Sequence, residues 1–380
     1  MIRLNVASAV LLVLCLAGLV PAIAYGDLIV PQDFTLFATH PDAQSQATQR
    51  GRTIRDIIHF NGQLYTGYGD WAYDDGPIQI RGLDSTTGTW SSSSLSFGTE
   101  ALSHYRVLGG QLYAASTDPQ GMAVRPGGFA LGTASHQWSQ HNVVAATHVF
   151  DINQTAGGDL WLVGSVNSAG TVWRSTDGGA SFSIARQDLP PPGEPSFVFS
   201  RYVGAGALEG SLYVQRVDVN TSTHNSQSLM FDGANWVSGP DLLSGGGGFV
   251  TKPQQFGSQL VYMDDDLSLG HLYRFDGSNS QFALPGLVHD FQIQDGQVIV
   301  LAQGGELLFS SDLATWQSAG FAPVDARSLE LVSNQLFVGT TNAQIWSSFK
   351  LGGITAVPEP GSLGAVLSLL LLLVPRRIRR

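Results

Sequence analysis

Cysteine, lysine and charge are all scarce in this chain. It contains one cysteine, Cys15, within an apolar N-terminal segment, and two lysines, Lys252 and Lys350. The rest of the chain can therefore form neither a disulfide nor a cysteine-ligated metal site. Charged residues make up only 13% of the sequence, whereas Gly occurs 45 times. That composition disfavours long helices and predicts an all-β fold of short strands joined by many turns.

The formal charge of −11 is unevenly distributed along the chain. Both termini are basic, with Arg3 at one end and Arg376, Arg377, Arg379 and Arg380 at the other. The body, residues 25–355, carries 14 basic and 29 acidic side chains. Such a body repels nucleic acid and anionic lipid, so we expect no nucleic-acid partner. It suits solubility outside the cell, or the binding of neutral glycans or cations.

Residues 1–24 have the pattern of a secretory signal peptide. Arg3 supplies the positive start, and an apolar run extends from Val10 to Val20. Ala22 and Ala24 then provide small side chains at positions −3 and −1 of a cleavage site after Ala24. We expect export through the Sec translocon.

Three features follow one another in the tail, residues 356–380. Val357-Pro358-Glu359-Pro360 precedes an apolar run from Leu363 to Val374, and the four C-terminal arginines end the chain. This order resembles the PEP-CTERM sorting signal, in which an exosortase, a membrane protease-transpeptidase, is thought to recognise and remove the tail. The resemblance implies an exosortase-like partner and a location in the envelope or outside a bacterium that makes exopolysaccharide.

The length of the apolar run separates sorting from permanent anchoring. As a helix, its 12 residues would span about 18 Å, against a hydrocarbon core of about 30 Å. A transmembrane helix over about 361–375 would therefore hold the protein in the inner membrane transiently, with the arginines on the cytoplasmic side. An ordinary C-terminal membrane anchor is the alternative.

A short phrase recurs along residues 25–355: turn residues, a small polar residue, and then Leu followed by an aromatic or aliphatic residue. The seven copies are Leu64-Tyr65, Leu112-Tyr113, Leu160-Trp161, Leu212-Tyr213, Leu260-Val261, Val298-Ile299 and Leu336-Phe337. Their spacings of 48, 48, 52, 48, 38 and 38 residues are typical of propeller blades. Asn-Gly or Gly-Gly before the phrase predicts a tight hairpin.

Each unit is expected to contribute four antiparallel strands, which predicts a seven-bladed β-propeller over residues 25–355. The seventh unit lacks a fourth strand, because Ile345–Phe349 is followed directly by Gly352-Gly353 and the tail. Asp33–Thr39 precedes the first unit without a partner of its own. We expect this segment to supply the outer strand of the last blade and so close the ring.

Two later turns resemble an Asp-box, Ser-x-Asp-x-Gly-x-x-Trp. One contains Ser175, Asp177, Gly179 and Phe182, with Phe in place of Trp. The other contains Ser310, Asp312 and Trp316, is one residue shorter and lacks the Gly. Further turns, such as Asp232-Gly233, are closer to kelch-like blades. The chemistry of these boxes is structural, since the carboxylate accepts main-chain hydrogen bonds across the turn.

Acidic and histidine side chains provide candidate metal ligands. Asp264, Asp265 and Asp266 follow the second strand of the fifth unit, at the place that Asp70, Asp74 and Asp75 hold in the first unit and Asp118 holds in the second. Clustered carboxylates suit Ca²⁺, the only cofactor that the sequence suggests, with solvated acidic loops as the alternative. His59, His104, His148 and His289 precede or lie in first strands, but their different registers do not require them to converge.

No catalytic residue is assigned. Asp-box propellers include sialidases, which need an Arg triad, a Tyr–Glu pair and an Asp acid. The nearest segment to the expected Arg-Ile-Pro motif is Thr53-Ile54-Arg55-Asp56. The leading hypothesis is an exported propeller that binds glycan or protein in an extracellular matrix. A glycosidase-like extracellular enzyme and a purely structural matrix protein are the alternatives.

Overall fold

The computed structural model describes residues 28–73, 76–92, 94–118, 124–193, 195, 198–220, 225–243, 248–264 and 269–349. Over this range the chain is almost entirely β, which confirms the predicted fold class. Two one-turn helices, Pro41–Gln44 and Gln49–Arg52, and two 3₁₀ turns, Pro31–Asp33 and Gln303–Gly305, are the exceptions among these residues. The signal segment and the sorting tail, with the two helices expected there, lie outside the described residues.

The N-terminal strand and the first unit come first along the chain. Their strands are β1 (Thr35–Thr39), β2 (Asp56–Phe60), β3 (Gln63–Gly67), β4 (Ile78–Ile80), β5 (Leu83–Asp84) and β6 (Leu95–Phe97). The first unit is divided, with β2-β3-β5 in one small sheet and β4-β6 in another. The division falls at Arg81, whose Nε lies 2.5 Å from Asp42 Oδ2, so the chain between β4 and β5 turns toward that carboxylate.

The next three units form regular four-stranded antiparallel sheets. The second unit comprises β7 (Tyr105–Leu108), β8 (Gln111–Ala115), β9 (Arg125–Ala134) and β10 (Gln137–Ala146). The third comprises β11 (His148–Gln154), β12 (Leu160–Val166), β13 (Ala169–Ser175) and β14 (Ser183–Asp188). The fourth comprises β15 (Phe199–Leu208), β16 (Ser211–Val219), β17 (Asn225–Phe231) and β18 (Trp236–Ser238).

The fifth and sixth units are continuous in one seven-stranded sheet. Its strands are β19 (Thr251–Phe256), β20 (Gln259–Met263), β21 (Gly270–Phe275), β22 (Ser280–Gln294), β23 (Gln297–Ala302), β24 (Glu306–Ser310) and β25 (Gln317–Phe321). β22 pairs with β21 through its first half and with β23 through its second half. No loop separates the outer strand of the fifth unit from the inner strand of the sixth, so one long strand serves both units.

The last sheet joins the two ends of the body. It contains β26 (Ala326–Val332), β27 (Gln335–Thr340) and β28 (Gln344–Ser348), in the order β1-β28-β27-β26. β1 lies antiparallel to β28, with Thr35 opposite Ser347 and Thr39 opposite Gln344. The pairing gives this sheet a fourth strand from the N-terminal side of the chain.

The hairpin phrase joins the first and second strands of each unit. Asn61 and Gly62, between β2 and β3, have φ of 51° and 79°. Positive φ at both residues of a two-residue loop defines the type I′ turn that matches strand twist. The same loop length recurs between β7 and β8, β15 and β16, β19 and β20, β22 and β23, and β26 and β27. The predicted hairpins therefore set the register of every repeat except the third, whose loop is longer.

The first strands lie side by side around a centre. β2 contacts β7, β7 contacts β11, β11 contacts β15, β15 contacts β19, β22 contacts β26, and β26 contacts β2. β19 is joined to β22 by the ion pair between Lys252 and Asp290. Buried apolar clusters lie between neighbouring sheets, as where Tyr113 and Phe129 pack with Leu160 and Trp173. This is the organisation of a propeller-type body.

Candidate functional site at the mouth of the central channel

A cavity of about 710 Å³ opens where the first strands begin and the second strands end. Every unit contributes to its wall at, or immediately before, its first strand. The residues from those positions are Arg55, Asp56, Ser103, His104, His148, Phe150, Arg201, Val203, Thr251, Lys252, His289, Asp290 and Arg327. A volume of this size falls within the range of small-ligand sites.

Lys252 spans the centre of the ring beside this cavity. Its Nζ lies 2.8 Å from Asp56 Oδ1 in the first unit and 2.8 Å from Asp290 Oδ1 in the sixth. Lys252 adopts φ of 52°, an uncommon conformation for a non-glycine residue. Burial alone would lower the pKa of Lys252, but attraction to Asp290 and Asp56 outweighs it and raises the pKa. The ammonium group therefore stays charged and ties three units together.

A second bridge crosses the channel from the second unit. Arg106 donates to the carbonyl of Pro253 in the fifth unit, and its Nε and Nη2 bind Asp151 of the third unit at 3.1 and 2.7 Å. Asp151 Oδ1 also lies 2.9 Å from His104 Nε2. Burial would raise the pKa of Asp151, but Arg106 and His104 hold it at about 2. These bridges cross the channel beside the cavity, which is called the cup below.

Buried carboxylates also join four of the first strands to the next one around the ring. Asp56 accepts from Tyr105 N at 2.9 Å, Asp151 from Ala205 N at 3.1 Å, and Asp290 from Leu329 N at 3.0 Å. Glu330 makes the corresponding link from the seventh unit to the first, accepting from His59 N at 2.7 Å. Burial raises the pKa of Glu330 to about 8, and burial together with the charge of Asp56 raises that of Asp290 to about 6.

Sequence analysis did not find this network. Asp56 and Asp290 each stand eight residues before the first residue of the repeat phrase, Leu64 and Val298, and Asp151 stands nine before Leu160. Aligning the units on that residue would have shown a recurring acid. Its partners, Lys252 and Arg106, come from distant units and leave no local pattern.

Arginine and aromatic side chains share the remaining wall. Arg55, Arg201 and Arg327 line the cavity together with Phe150, Phe249 and Trp71. The guanidinium of Arg201 lies 5.2 Å from the ring centre of Phe150 and 4.4 Å from that of Phe199. Cation–π contacts of this kind fix the plane of the guanidinium group.

Trp71 stands at the lip of the cup with 37% of its surface exposed. The guanidinium carbon of Arg50 lies 4.6 Å from the ring centre of Trp71. Arg50 Nη1 in turn lies 3.9 Å from Asp70 Oδ1. Asp70 also accepts from Thr48 Oγ1 and Ala72 N, at 2.7 and 3.1 Å. The indole is therefore held in place by a structured loop.

Three of the four histidines singled out in the sequence, His104, His148 and His289, reach the same cavity. His59 lies within β2 and is absent from the cavity wall. His148 Nδ1 is 3.0 Å from Ser165 Oγ, and its Nε2 is 3.5 Å from Asp118 Oδ2. Ser165 is buried, with 1% of its surface exposed, and does not line the cavity.

The acidic residues considered for calcium have separate partners. Asp264 accepts from His271 N at 2.6 Å and lies 3.0 Å from His271 Nδ1. Asp265, Asp266, Asp74 and Asp75 lie outside the described residues. Within the part of the chain that the structure describes, no group of three or more His, Cys, Asp or Glu side chains is placed to hold a metal ion.

The two Asp-box turns lie between third and fourth strands, away from the cavity. Gly179 N donates to Ser175 Oγ at 2.8 Å, and Ser181 N donates to Asp177 Oδ1 at 3.0 Å. Phe182 packs edge-on against Phe129 of the preceding sheet. In the second box, Thr315 N donates to Asp312 Oδ1 at 2.7 Å, Leu313 N donates to Ser310 Oγ at 2.8 Å, and Trp316 Nε1 reaches Ala283 O at 2.8 Å.

The predicted sorting and cleavage residues cannot be placed, because Ala22, Ala24, Val357–Pro360 and the terminal arginines lie outside the described residues. Among the helices that the structure does describe, none combines the length and the apolar character required to span a bilayer.

Comparison with known proteins bears on the fold alone. No protein-family profile and no curated protein matches the sequence. Three solved structures to which the chain is similar are the WD40 β-propeller domain of Doa1, YCF48 from Cyanidioschyzon merolae and the GH74 xyloglucanase from Xanthomonas campestris.

The WD40 domain of Doa1 is 12% identical to this chain with a TM-score of 0.47, and YCF48 is 10% identical with a TM-score of 0.47. The xyloglucanase is 15% identical with a TM-score of 0.46. The match to the WD40 domain covers 83% of this chain and 96% of that domain, and the match to YCF48 covers 83% and 98%. The match to the xyloglucanase covers 85% of this chain and 54% of the enzyme chain.

Proposed function

We propose that the chain is an exported, seven-bladed β-propeller that binds a glycan or protein of the extracellular matrix in its central cup. One observation carries the binding site: the cavity of about 710 Å³ is lined by the first strand, or the residue before it, of every repeat. A concave site built from many rigid strands, with aromatic walls and a few charged groups, is the usual form of a ligand pocket.

The blade count rests on the repeat and on the path of the strands. Seven copies of the hairpin phrase begin seven successive second strands, and β1 completes the sheet that contains the last of them. The fused fifth and sixth units and the divided first unit then count as variants of one four-stranded blade. If β1 closes the ring, the last blade does not end in a bare edge at β28.

Binding is favoured over hydrolysis by the state of the carboxylates. A glycosidase needs two carboxyl groups that can reach the scissile bond. Asp56 is held by Lys252 and Tyr105 N, and Asp290 is held by Lys252, Phe291 N and Leu329 N. Asp118, the third acid of the wall, lies beside His148.

A glycan array combined with hydrolysis assays tests this choice. We expect selective retention of a glycan or matrix protein without turnover. Turnover that Asp118→Asn abolishes would overturn the binding function in favour of the glycosidase-like enzyme. Absence of any selective ligand would point to a purely structural matrix protein.

Export and sorting are proposed from the two ends of the sequence. The Sec translocon would pass the body across the inner membrane, and an exosortase-like protease would remove the tail near Val357-Pro358-Glu359-Pro360. Mass spectrometry of the native protein is the test. We expect an N-terminus at Tyr25 and loss of Arg380; an extracellular protein that retains Arg380 would exclude processing of this kind.

A further inference from the structure

We propose that the cup binds a neutral saccharide on one side of its mouth. The indole of Trp71 would carry a sugar ring, and the side chains of Ser103, His104 and Thr117 would bind its hydroxyl groups. These four residues, all in the cavity wall, are called the Trp71 sector. The proposal rests on the binding function proposed above, and it specifies the ligand class and the part of the cup that recognises it.

Three segments of the first and second units meet in the Trp71 sector. Leu102 N donates to Tyr68 O at 2.9 Å, which joins the segment before β7 to the loop after β3. Glu100 N donates to Asp118 O at 2.9 Å, which joins the same segment to the chain after β8. Main-chain hydrogen bonds therefore fix the backbone of the sector before any ligand binds, which lowers the cost of ordering on binding.

The indole of Trp71 provides the stacking surface. The guanidinium carbon of Arg50 lies 4.6 Å from its ring centre, and 37% of the residue is exposed. No described residue accepts a hydrogen bond from Trp71 Nε1. An indole in this state can pack against the C–H face of a pyranose ring and donate its N–H to a hydroxyl group.

Uncommitted polar atoms adjoin the indole. Ser103 and Thr117 line the cavity, and neither hydroxyl has a hydrogen-bond partner among the described residues. His104 Nε2 lies 2.9 Å from Asp151 Oδ1, which leaves Nδ1 for a ligand. Since hydroxyl groups both donate and accept, they match the hydroxyls of a sugar in either direction.

The charged side chains of the wall already have partners within the protein, which favours an uncharged ligand. Lys252 is shared by Asp56 and Asp290. The remaining contacts are those of Asp118 with His148, Arg55 with Arg50 O, Arg201 with Phe150 and Phe199, and Arg327 with Val324 O and Ala326 O. A charged ligand would have to replace one of these contacts, whereas a neutral ligand leaves them in place.

A saccharide fits this arrangement better than a peptide does. A pyranose ring has an apolar C–H face with hydroxyls around its edge, and the Trp71 sector has an aromatic face with donors and acceptors beside it. Peptides are usually held by strand addition to a sheet edge or by an apolar groove for a helix. The sector supplies neither of these features.

Calorimetric titration of the native exported protein tests the ligand class. The neutral probes are hexasaccharides of glucose, mannose, galactose and xylose; hexagalacturonate is the acidic probe, and a hexapeptide library is the third arm. We expect at least one neutral probe to bind about tenfold more tightly than the acidic probe and the peptides. Its affinity should not change with salt, because no ion pair forms with the ligand.

Variants then locate the site. Trp71→Ala should weaken binding of that neutral probe by at least about tenfold, since aromatic anchors dominate such contacts. Trp71→Phe keeps a ring but loses the N–H, so its affinity should lie in between. Thr117→Val, which is nearly isosteric, should weaken binding by about threefold. Phe282→Ala is the matched control, because Phe282 is 56% exposed and does not line the cavity. Thermal unfolding of each variant establishes that it is folded.

The possible outcomes separate the two proposals. Tighter binding of hexagalacturonate, or a neutral probe whose affinity Trp71→Ala leaves unchanged, would overturn the present inference but leave the binding function standing. Tighter binding of peptides would also overturn it and identify a protein ligand. If no probe binds and the glycan and matrix-protein arrays are also blank, both proposals fail.

Discussion

Two sets of aspartates in this molecule have different structural roles. Asp177 and Asp312 lie at the outer turns, exposed to solvent, and accept hydrogen bonds from residues within the next four positions of the chain. Asp56, Asp151 and Asp290 are buried around the channel and bind groups 39 to 196 residues away. The turn carboxylates shape single units, whereas the channel carboxylates decide how units meet.

Their protonation reflects the same difference. Hydrogen bonds from Thr315 N and Ala314 N hold the pKa of Asp312 at about 2, with almost no effect of burial. Burial raises the pKa of Asp290 to about 6, despite the adjacent Lys252. A buried acid is therefore tolerated at the channel only while its cation and main-chain donors remain in place.

Lys252→Met is the variant for which this contrast predicts the largest loss of stability. The change leaves Asp56 and Asp290 buried without their shared cation, and loss of one partner of a buried ion pair costs about 3–5 kcal/mol. We expect a loss of that size in the free energy of unfolding, measured by urea denaturation. Adding Asp290→Asn to Lys252→Met should recover part of it.

Asp159→Asn is the control for Lys252→Met, because Asp159 pairs with Arg174 where 21% and 33% of their side chains are exposed. We expect its effect to stay below about 1 kcal/mol. A Lys252→Met protein as stable as this control would show that the channel ion pairs do not hold the units together.

A second test uses Glu330, whose pKa rises with burial from about 4.5 to about 8. Since the folded state binds the proton more tightly than the unfolded state, its stabilisation is complete below the unfolded pKa. It is lost as pH rises through the folded pKa. Glu330→Gln keeps an acceptor for His59 N and removes the charge.

The variant should therefore match the wild type near pH 4 and unfold at a higher temperature at pH 8 to 9. Differential scanning calorimetry across this range measures the difference. A constant difference at all pH values would contradict a buried, titrating Glu330.

The smallest expected effect belongs to the outer turns. Asp312→Ala removes the acceptor for Ala314 N and Thr315 N and should lower stability by about 1 kcal/mol, as for other short capping carboxylates. Because the pKa of Asp312 is depressed, its contribution is present above the unfolded value of 3.8 and is lost as pH falls toward 2. The wild type and the variant should therefore converge in acid, and a difference that persists at pH 2 would implicate packing instead.

The hairpins show what could be predicted. Asn61-Gly62, Gly109-Gly110 and Asp295-Gly296 each form a tight turn with positive φ at both residues, where the repeat phrase places it. Turn chemistry is local, and a strand adjacent to such a turn has little freedom of register. The all-β class and the propeller-type body follow from six repetitions of this two-residue turn and one longer loop in the third unit.

The structure departs from seven separate four-stranded blades in the fifth and sixth units and in the first unit. The fifth and sixth units share β22, whereas the sequence predicted two separate blades, and the equal spacing of 38 residues before the seventh unit leaves β25 and β26 separate. In the first unit, Arg81, between β4 and β5, binds Asp42 across 39 residues, a contact that no local sequence pattern predicts. The cup has no local sequence pattern either, since each unit contributes only one to four residues to it.

By itself, the sequence determined the strand type, the hairpin turns, the repeat and the absence of disulfides, because backbone preference and turn geometry act over a few residues. Only the tertiary structure decided that Lys252 would meet Asp56 and Asp290, that Arg106 would reach Pro253, and that Arg201 and Trp71 would face one cavity. Those contacts depend on the angle at which successive sheets pack. That angle is set by buried side chains from neighbouring units together.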